Sequence, residues 1–294
     1  MQAQDLESSK QVRSAVRYWL LIGLVMVFFQ VVIGGVTRLT DSGLSITEWE
    51  IIQGTLPPMN KIQWEEAFDA YKDAARKQYE SLHADMTLKE FKVIYFWEYI
   101  HRLWARLMGL VFLFPFIYFL AKKWIPRWML RGLGVVIFLA ALAATFGWIM
   151  VASGLNDDTR TWVSAYKLII HLMIATFLFG TLFWIWLRSH GLLPAHPHRD
   201  QIIRWGWGLT VLLLIQIALG GLMAGMRAGL VHPHWPFFIQ GEAFLNALKT
   251  NEGASVGQWI DYEPALSVKA WVQVAHRFAA YLLSILTLIL LVRM

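Results

Sequence analysis

Cysteine is absent from all 294 residues, so disulfides, iron–sulfur clusters and thiolate metal sites are excluded in any compartment. Charge is scarce as well: Asp, Glu, Lys and Arg supply 16% of the chain against 57% hydrophobic residues, and the mean hydropathy is positive. That balance excludes a soluble domain of this length. The first apolar run is followed by no small-residue cleavage pattern, so it reads as an uncleaved span preceded by a polar segment, residues 1–17. Any metal must sit on His or carboxylate side chains.

Six stretches are long enough to cross roughly 30 Å of hydrocarbon: Tyr18–Thr37, Trp97–Ala121, Leu133–Leu155, Leu168–Leu187, Trp205–Met226 and Ala270–Val292. Their lengths predict helices and an all-α integral membrane protein. The net charge of +6 follows topology and gives no reason to expect nucleic acid. Lys10, Arg13 and Arg17 precede span 1. Lys122, Lys123, Arg127 and Arg131 lie between spans 2 and 3, Arg188, Arg199 and Arg204 between spans 4 and 5, and Arg293 after span 6. The alternate loops are neutral to acidic, with ten acids against seven bases in residues 38–96. The positive-inside rule therefore places both termini in the cytoplasm.

An internal repeat organises the chain. Gln-x-x-x-Gly-Gly, seven residues, then Gly-Leu runs from Gln30 to Leu44 and again from Gln216 to Leu230, with a partial echo from Gly147 to Leu155. Each copy precedes a helix bearing one intramembrane histidine. The small residues permit close helix packing or the approach of a flat ligand. In the outer loop, Trp64, Ala67, Phe68, Tyr71 and Ala75 recur at helical spacing and predict an amphipathic helix on the membrane surface. Thr87-Leu-Lys-Glu90 reads as a capping box that starts the second membrane helix outside the lipid. The repeat pairs the first unit with the third, so a fourth unit is expected after residue 294, bringing two more helices and one more histidine.

His101, His171 and His276 each fall about five residues inside the outer end of a helix running inward, which at ~1.5 Å rise per residue puts them in one layer. Zinc and di-iron sites in bundles use several carboxylates, whereas this chain has only Glu98-x-x-His101, matched in span 6 by Gln273-x-x-His276. Haem needs an axial imidazole from each of two helices, apolar walls and cations for its propionates. Arg102 and Arg277 follow their histidines and serve either as such cations or as interfacial anchors. Glu98 shares a helix face with His101 and is either a base over the porphyrin edge or a carboxylate salt-bridged to Arg102. His232 and His234 are read as shaping an outer turn, with metal binding as the alternative; His190, His196 and His198 receive no role.

Arg38-Leu-Thr-Asp-Ser-Gly-Leu-Ser-Ile-Thr-Glu-Trp, Gly54-Thr-Leu-Pro-Pro, Glu98-x-x-His-Arg, Gly147-Trp-Ile-Met-Val-Ala-Ser-Gly-Leu and His276-Arg-Phe together resemble the haem A synthase family, in its cysteine-free, mitochondrial-type branch. The resemblance implies a pseudo-twofold pair of transmembrane four-helix bundles, with six of an expected eight helices present. It implies oxidation of the C8 methyl of haem O to a formyl group, giving haem A for cytochrome c oxidase, with haem b as cofactor. His101 and His171 would then flank the substrate haem O or product haem A, Glu98 would be the catalytic carboxylate, and His276 would hold haem b. Residues 18–190 would form the substrate half with outer loop 38–96, residues 191–204 a cytoplasmic linker, and residues 205–294 the first two helices of the cofactor half.

The expected partners are haem O, membrane lipid, haem O synthase, the oxidase assembly machinery and an electron acceptor that the sequence does not name. A bacterial inner membrane is expected, because no Arg- and Ser-rich transit segment precedes span 1. Two competing classes remain: a non-catalytic bis-His di-haem cytochrome b-type electron-transfer subunit, and a haem-free transporter whose His and Glu relay protons.

Overall fold

The computed structural model describes residues 12–48, 56–155, 161–191, 199–231, 242–249 and 265–293. Among these residues every regular element is helical. In chain order they are α1 (Ser14–Leu39), α2 (Lys61–Ala74), α3 (Arg76–Leu82), α4 (Leu88–Ala121), α5 (Arg127–Ala152), α6 (Ala165–Ser189), α7 (Arg199–Gly225), a 3-10 turn (Ala228–Leu230), α8 (Glu242–Lys249) and α9 (Leu266–Arg293). The six long helices α1, α4, α5, α6, α7 and α9 each have the length and apolarity to cross a membrane. The protein is a multi-pass membrane protein. Large apolar side chains such as Ile22, Phe28, Phe114, Phe138 and Leu288 stand exposed on these helices, as lipid-facing residues must.

The chain divides into two compact units, residues 1–162 with 174–194, and residues 163–173 with 195–294. Within the first, the core gathers at one end of the helices. Val16, Trp19, Leu20 and Leu24 of α1 meet Phe119 of α4, Met129 and Leu133 of α5, and Leu182 and Ile185 of α6. Trp19 centres it, with ring centroids 5.0 Å from Phe112 and 5.6 Å from Phe119.

The same indole solves a problem set by Pro115, which lies inside α4 and has no N–H to give the carbonyl four residues back. That carbonyl is Val111 O, and Trp19 Nε1 donates to it at 3.2 Å. Basic residues ring this end and lean on aromatic faces: Arg13 lies 4.2 Å from the Trp124 ring and Arg188 4.4 Å from that of Trp128. Such contacts suit a membrane interface, where an aromatic body and a charged head can share the boundary.

The capping box forms as expected. Glu90 N donates to Thr87 Oγ1 while Thr87 N donates to Glu90 Oε2, so α4 begins well before its apolar stretch. That early start gives the outer helices something to pack on. The expectation of a surface-lying helix is corrected for α2, whose apolar face is spent on protein. Phe68 stacks on Phe91 of α4 at 4.8 Å, Tyr71 at 5.5 Å, and Trp64 meets Tyr95 edge-on at 5.0 Å. Amphipathic spacing reports only that one face is covered, not by what.

Tyr71 is fully buried, and burial pushes its phenol well above the ordinary value. Its hydroxyl lies 3.2 Å from Gln78 Oε1 and 2.6 Å from His83 Nδ1, within hydrogen-bond distance of both. Gln78 in turn donates to the carbonyl of Asp41 (3.3 Å), tying the outer helices to the turn that follows α1.

The sequence repeat is also a backbone repeat. Asp41 and Arg227 occupy the same position of the two copies, and both adopt left-handed backbone conformations, φ 54° and 51°. Non-glycine residues seldom do so, at roughly 1–2 kcal/mol each. Two unlike side chains accepting that cost at one register shows that the turn itself is duplicated.

In the second unit α7 packs closely on its neighbours: a Cβ on Gly225 would lie 2.8 Å from the Cα of Ala165, whereas one on Gly132 of the first unit would meet only the mobile tip of Ile185. Backbone cannot give way as a side-chain end can. We therefore expect Gly225→Ala to destabilise the protein by about 1–3 kcal/mol and Gly132→Ala by clearly less, read as the drop in thermal unfolding midpoint in detergent.

Candidate functional site

Helix α4 carries Glu98, His101 and Arg102 within about one turn, and Glu98 and Arg102, four apart, face the same side. Glu98 is 3% exposed. A buried carboxylate is tolerated only with its lone pairs satisfied, and here all of them are. Oε2 accepts from Ser45 Oγ and from the Ile46 backbone N–H, both at 2.8 Å. Oε1 accepts from Arg102 Nε at 3.1 Å and from its terminal nitrogen at 2.6 Å.

Arg102 reaches on to the carbonyls of Ile46 (2.8 Å) and Glu48 (3.0 Å). The segment Ser42–Glu48 is thereby strapped across α4 by one ion pair. Of the two readings of Arg102 open from the sequence, a propionate cation or an anchor, neither describes this geometry. Its guanidinium holds a loop and a carboxylate. The salt bridge between Glu98 and Arg102, the bland alternative for Glu98, is present at 2.6 Å, but inside the protein and not at a wet interface.

Around this clasp the quoted motif acquires local reasons. Thr37 Oγ1 donates to the carbonyls of Ile33 and of Trp97, stitching α1 to α4. Thr40 and Ser42 share a 2.6 Å hydroxyl contact, and Arg38 pairs with Asp41 at 3.3 Å. Beside the clasp lies a cavity of about 200 Å³ between Thr47, Glu48 and Arg102 on one side and Trp148 and Val151 of α5 on the other.

His101 sits against α1 where the side chain is smallest: a Cβ on Gly34 would lie 3.0 Å from His101 Nε2. One turn earlier, Gln30 donates through Nε2 to the backbone carbonyl of His101 (3.2 Å). In the second unit the counterpart is close. A Cβ on Gly220 would lie 3.3 Å from His276 Cε1, and Gln216 Nε2 lies 3.2 Å from His276 Nδ1 and 3.4 Å from Nε2.

The neighbouring Gly221 receives Ile169 and Leu172 of α6, which flank His171. His171 thus belongs with the second unit, in the segment 163–173. Gln273, three residues before His276 as Glu98 is before His101, donates to the carbonyl of Gly229 (3.4 Å), so in each helix pair this position holds the turn after the first helix. One pair does it with charge, the other with a neutral amide.

The imidazoles of His101 and His276 therefore each rest in a cradle that a single Cβ would fill. In each pair a buried amide oxygen, Gln30 Oε1 or Gln216 Oε1, lacks a hydrogen-bond partner among the described residues. Among the described residues no three His, Asp or Glu side chains gather as they would around a bare ion. Single imidazoles on apolar helices are the donor set that haem uses. His232 and His234 lie outside the described residues.

The Cytochrome oxidase assembly protein family matches residues 17–294. This chain belongs to that family. Among its relatives, a heme A synthase of Flavobacterium psychrophilum is 38% identical over 267 residues, 90% of this chain and 75% of that one. A heme A synthase of Bradyrhizobium sp. (strain ORS 278) is 40% identical over 272 residues, 92% and 72% of the two chains. Another, of Methylorubrum populi, is 44% identical over 229 residues, 78% and 59%. No solved structure matches the chain.

For this member of the cytochrome oxidase assembly family, residue spacing singled out Glu98 and the three histidines but left Ser45, Ile46 and Gln216 without roles. The repeated Gln four residues before Gly was the available signal for Gln216; for Ser45 nothing short of the fold would serve. Because removing one partner of a buried ion pair strands the other, Arg102→Leu should cost about 3–5 kcal/mol. Glu98→Gln, which keeps an acceptor for the strap, should cost less. Thermal unfolding, together with the rate of proteolysis within Ser42–Glu48, measures both.

Proposed function

We propose that this protein is a haem A synthase, an oxidoreductase that converts the C8 methyl of haem O to a formyl group in two successive oxidations. The observation that carries the reading is the imidazole seated on glycine in each of two repeated helix pairs, in a chain whose relatives bear that name. His101, His171 and His276 are the proposed axial ligands: His101 for the substrate porphyrin, with His171 as the partner that the resemblance implies although its segment 163–173 clusters with the second unit, and His276 for a haem b cofactor. When bound, haem supplies a redox-active iron that takes an axial imidazole.

Glu98 is the proposed catalytic carboxylate of the substrate half. Its position is fixed before any substrate arrives, because four hydrogen bonds define both oxygens. To accept a proton from substrate or orient water, it must exchange the Ser45 or Ile46 bond for that new partner. Arg102 keeps Oε1 occupied while this happens, so the group turns one defined edge to the reaction.

The alternation of basic and acidic loops supports insertion with the N-terminus in the cytoplasm, and the proposed membrane is a bacterial inner membrane. Haem O synthase is the proposed donor of substrate, cytochrome oxidase assembly the destination of product, and a membrane redox partner the electron acceptor.

Purified full-length protein supplied with haem O and a chemical electron acceptor, and analysed by haem extraction, should yield haem A. His101→Ala should abolish conversion, and Glu98→Gln should slow it by roughly 10²–10⁴-fold, the usual worth of a general base. Extraction of haem b alone, with haem O left unconverted, would instead identify a di-haem electron carrier. A protein that takes up no haem would leave the proton-relay transporter.

A further inference from the structure

Gln216 and His276 raise a question of proton placement that the repeat does not answer. In the first unit the repeated glutamine spends its amide on the main-chain carbonyl of His101. In the second it lies against the imidazole itself, 3.2 Å from Nδ1 and 3.4 Å from Nε2, with Nδ1 the nearer nitrogen. Nδ1 also lies 3.9 Å from the position of a Gly220 Cβ, whereas Nε2 is beyond 4 Å, so Nε2 is the nitrogen farther from the α7 backbone at Gly220.

A neutral imidazole has one N–H and one lone pair, and a ligand nitrogen must be the unprotonated one. With an amide N–H given to Nδ1, the nearer ring nitrogen, the ring proton belongs on Nε2, which then has no lone pair for a metal. Yet Gln216 Oε1 is buried and lacks a donor among the described residues. Half a turn about the terminal amide bond exchanges the two ends. The oxygen then accepts Nδ1–H, and the lone pair moves to Nε2.

Resting on the reading of His276 as a haem ligand, we propose that Gln216 is a positioning residue: its carbonyl takes the Nδ1 proton of His276, selects the tautomer that leaves Nε2 open to iron, and tunes how strongly the imidazole donates. A ligand imidazole normally gives its other N–H to such an acceptor, and the strength of that bond raises ligand basicity. Gln30, spent on backbone, has no such effect on its histidine. One repeated residue therefore serves two purposes, fixing a helix in one pair and a ring in the other.

The test uses purified full-length holoprotein and the midpoint potential of its low-spin b-type haem, with haem content and absorption spectrum recorded alongside. Gln216→Met keeps length and volume but removes the acceptor. It should raise the potential, by about 59 mV for each tenfold change in the ratio of ferric to ferrous stability. Gln216→Glu, a stronger acceptor, should lower it, and Gln30→Met should leave it at the wild-type value. Loss of haem from Gln216→Met with retention in Gln216→Glu also supports the assignment.

Unchanged potentials in both Gln216 variants, shifts of the same sign, haem loss from both, or an equal shift in Gln30→Met would overturn it and leave His276 as the ligand. A wild-type protein without b-type haem, or one whose spectrum survives His276→Ala, would instead defeat the underlying haem reading and this inference with it.

Discussion

A carboxylate buried to 3% exposure near one end of a membrane-length helix is the constraint on which the first unit turns. Ionised, Glu98 is tolerable there only if every lone pair finds a donor, and water cannot be relied on to supply one. The chain answers with Arg102 one turn along and with a strap, Ser42–Glu48, that brings a hydroxyl and a backbone N–H. Much else follows from this. Thr37 must stitch α1 to α4 so that the strap starts in register, and Gln78 must hold the carbonyl of Asp41 so that the left-handed turn stays closed. The outer helices, packed on Phe91, brace the far side.

The second helix pair shows what happens when the charge is left out. Its turn has a left-handed residue at the same register, Arg227 in place of Asp41, and its glycine seats a histidine in the same way. The residue three before the histidine still holds the turn, but as Gln273 it does so through a neutral amide, with a 3.4 Å bond to the carbonyl of Gly229 in the short 3-10 turn after α7. What the two pairs share is the seat for the ring. What differs is the electrostatics at its edge: one pair carries a carboxylate there and the other a neutral amide. That asymmetry underlies the proposal that the Glu98 pair holds the substrate and the other pair the cofactor.

Most of this architecture was legible in the residues. Six apolar runs gave the six spans, because hydrocarbon thickness sets helix length with little freedom. The capping box at Thr87 was readable because cap and N3 partner are local. The spacing of Glu98, His101 and Arg102 fixed their common turn. Tertiary partners were not legible. The helical stripe of Trp64, Phe68 and Tyr71 announced a covered face, and α4 proved to be the cover in place of lipid. The ligand of Arg102 was ambiguous for the same reason: its strap lies more than fifty residues upstream, across a loop whose path no local rule dictates. Gln216 stood in a quoted motif with no role, since only the packing of α9 against α7 brings the ring to it.

Stability and function are also divided along the length of the first unit. Its apolar core, from Val16 and Trp19 to Leu182 and Ile185, lies at the end opposite the strap, and it holds four helices together without help from the clasp. The outer end contributes few buried apolar contacts beyond those of Phe91 and its neighbours, and is held instead by a handful of charge-assisted hydrogen bonds. Such bonds are strong individually but short-ranged, so a lost one releases the strap without loosening the core.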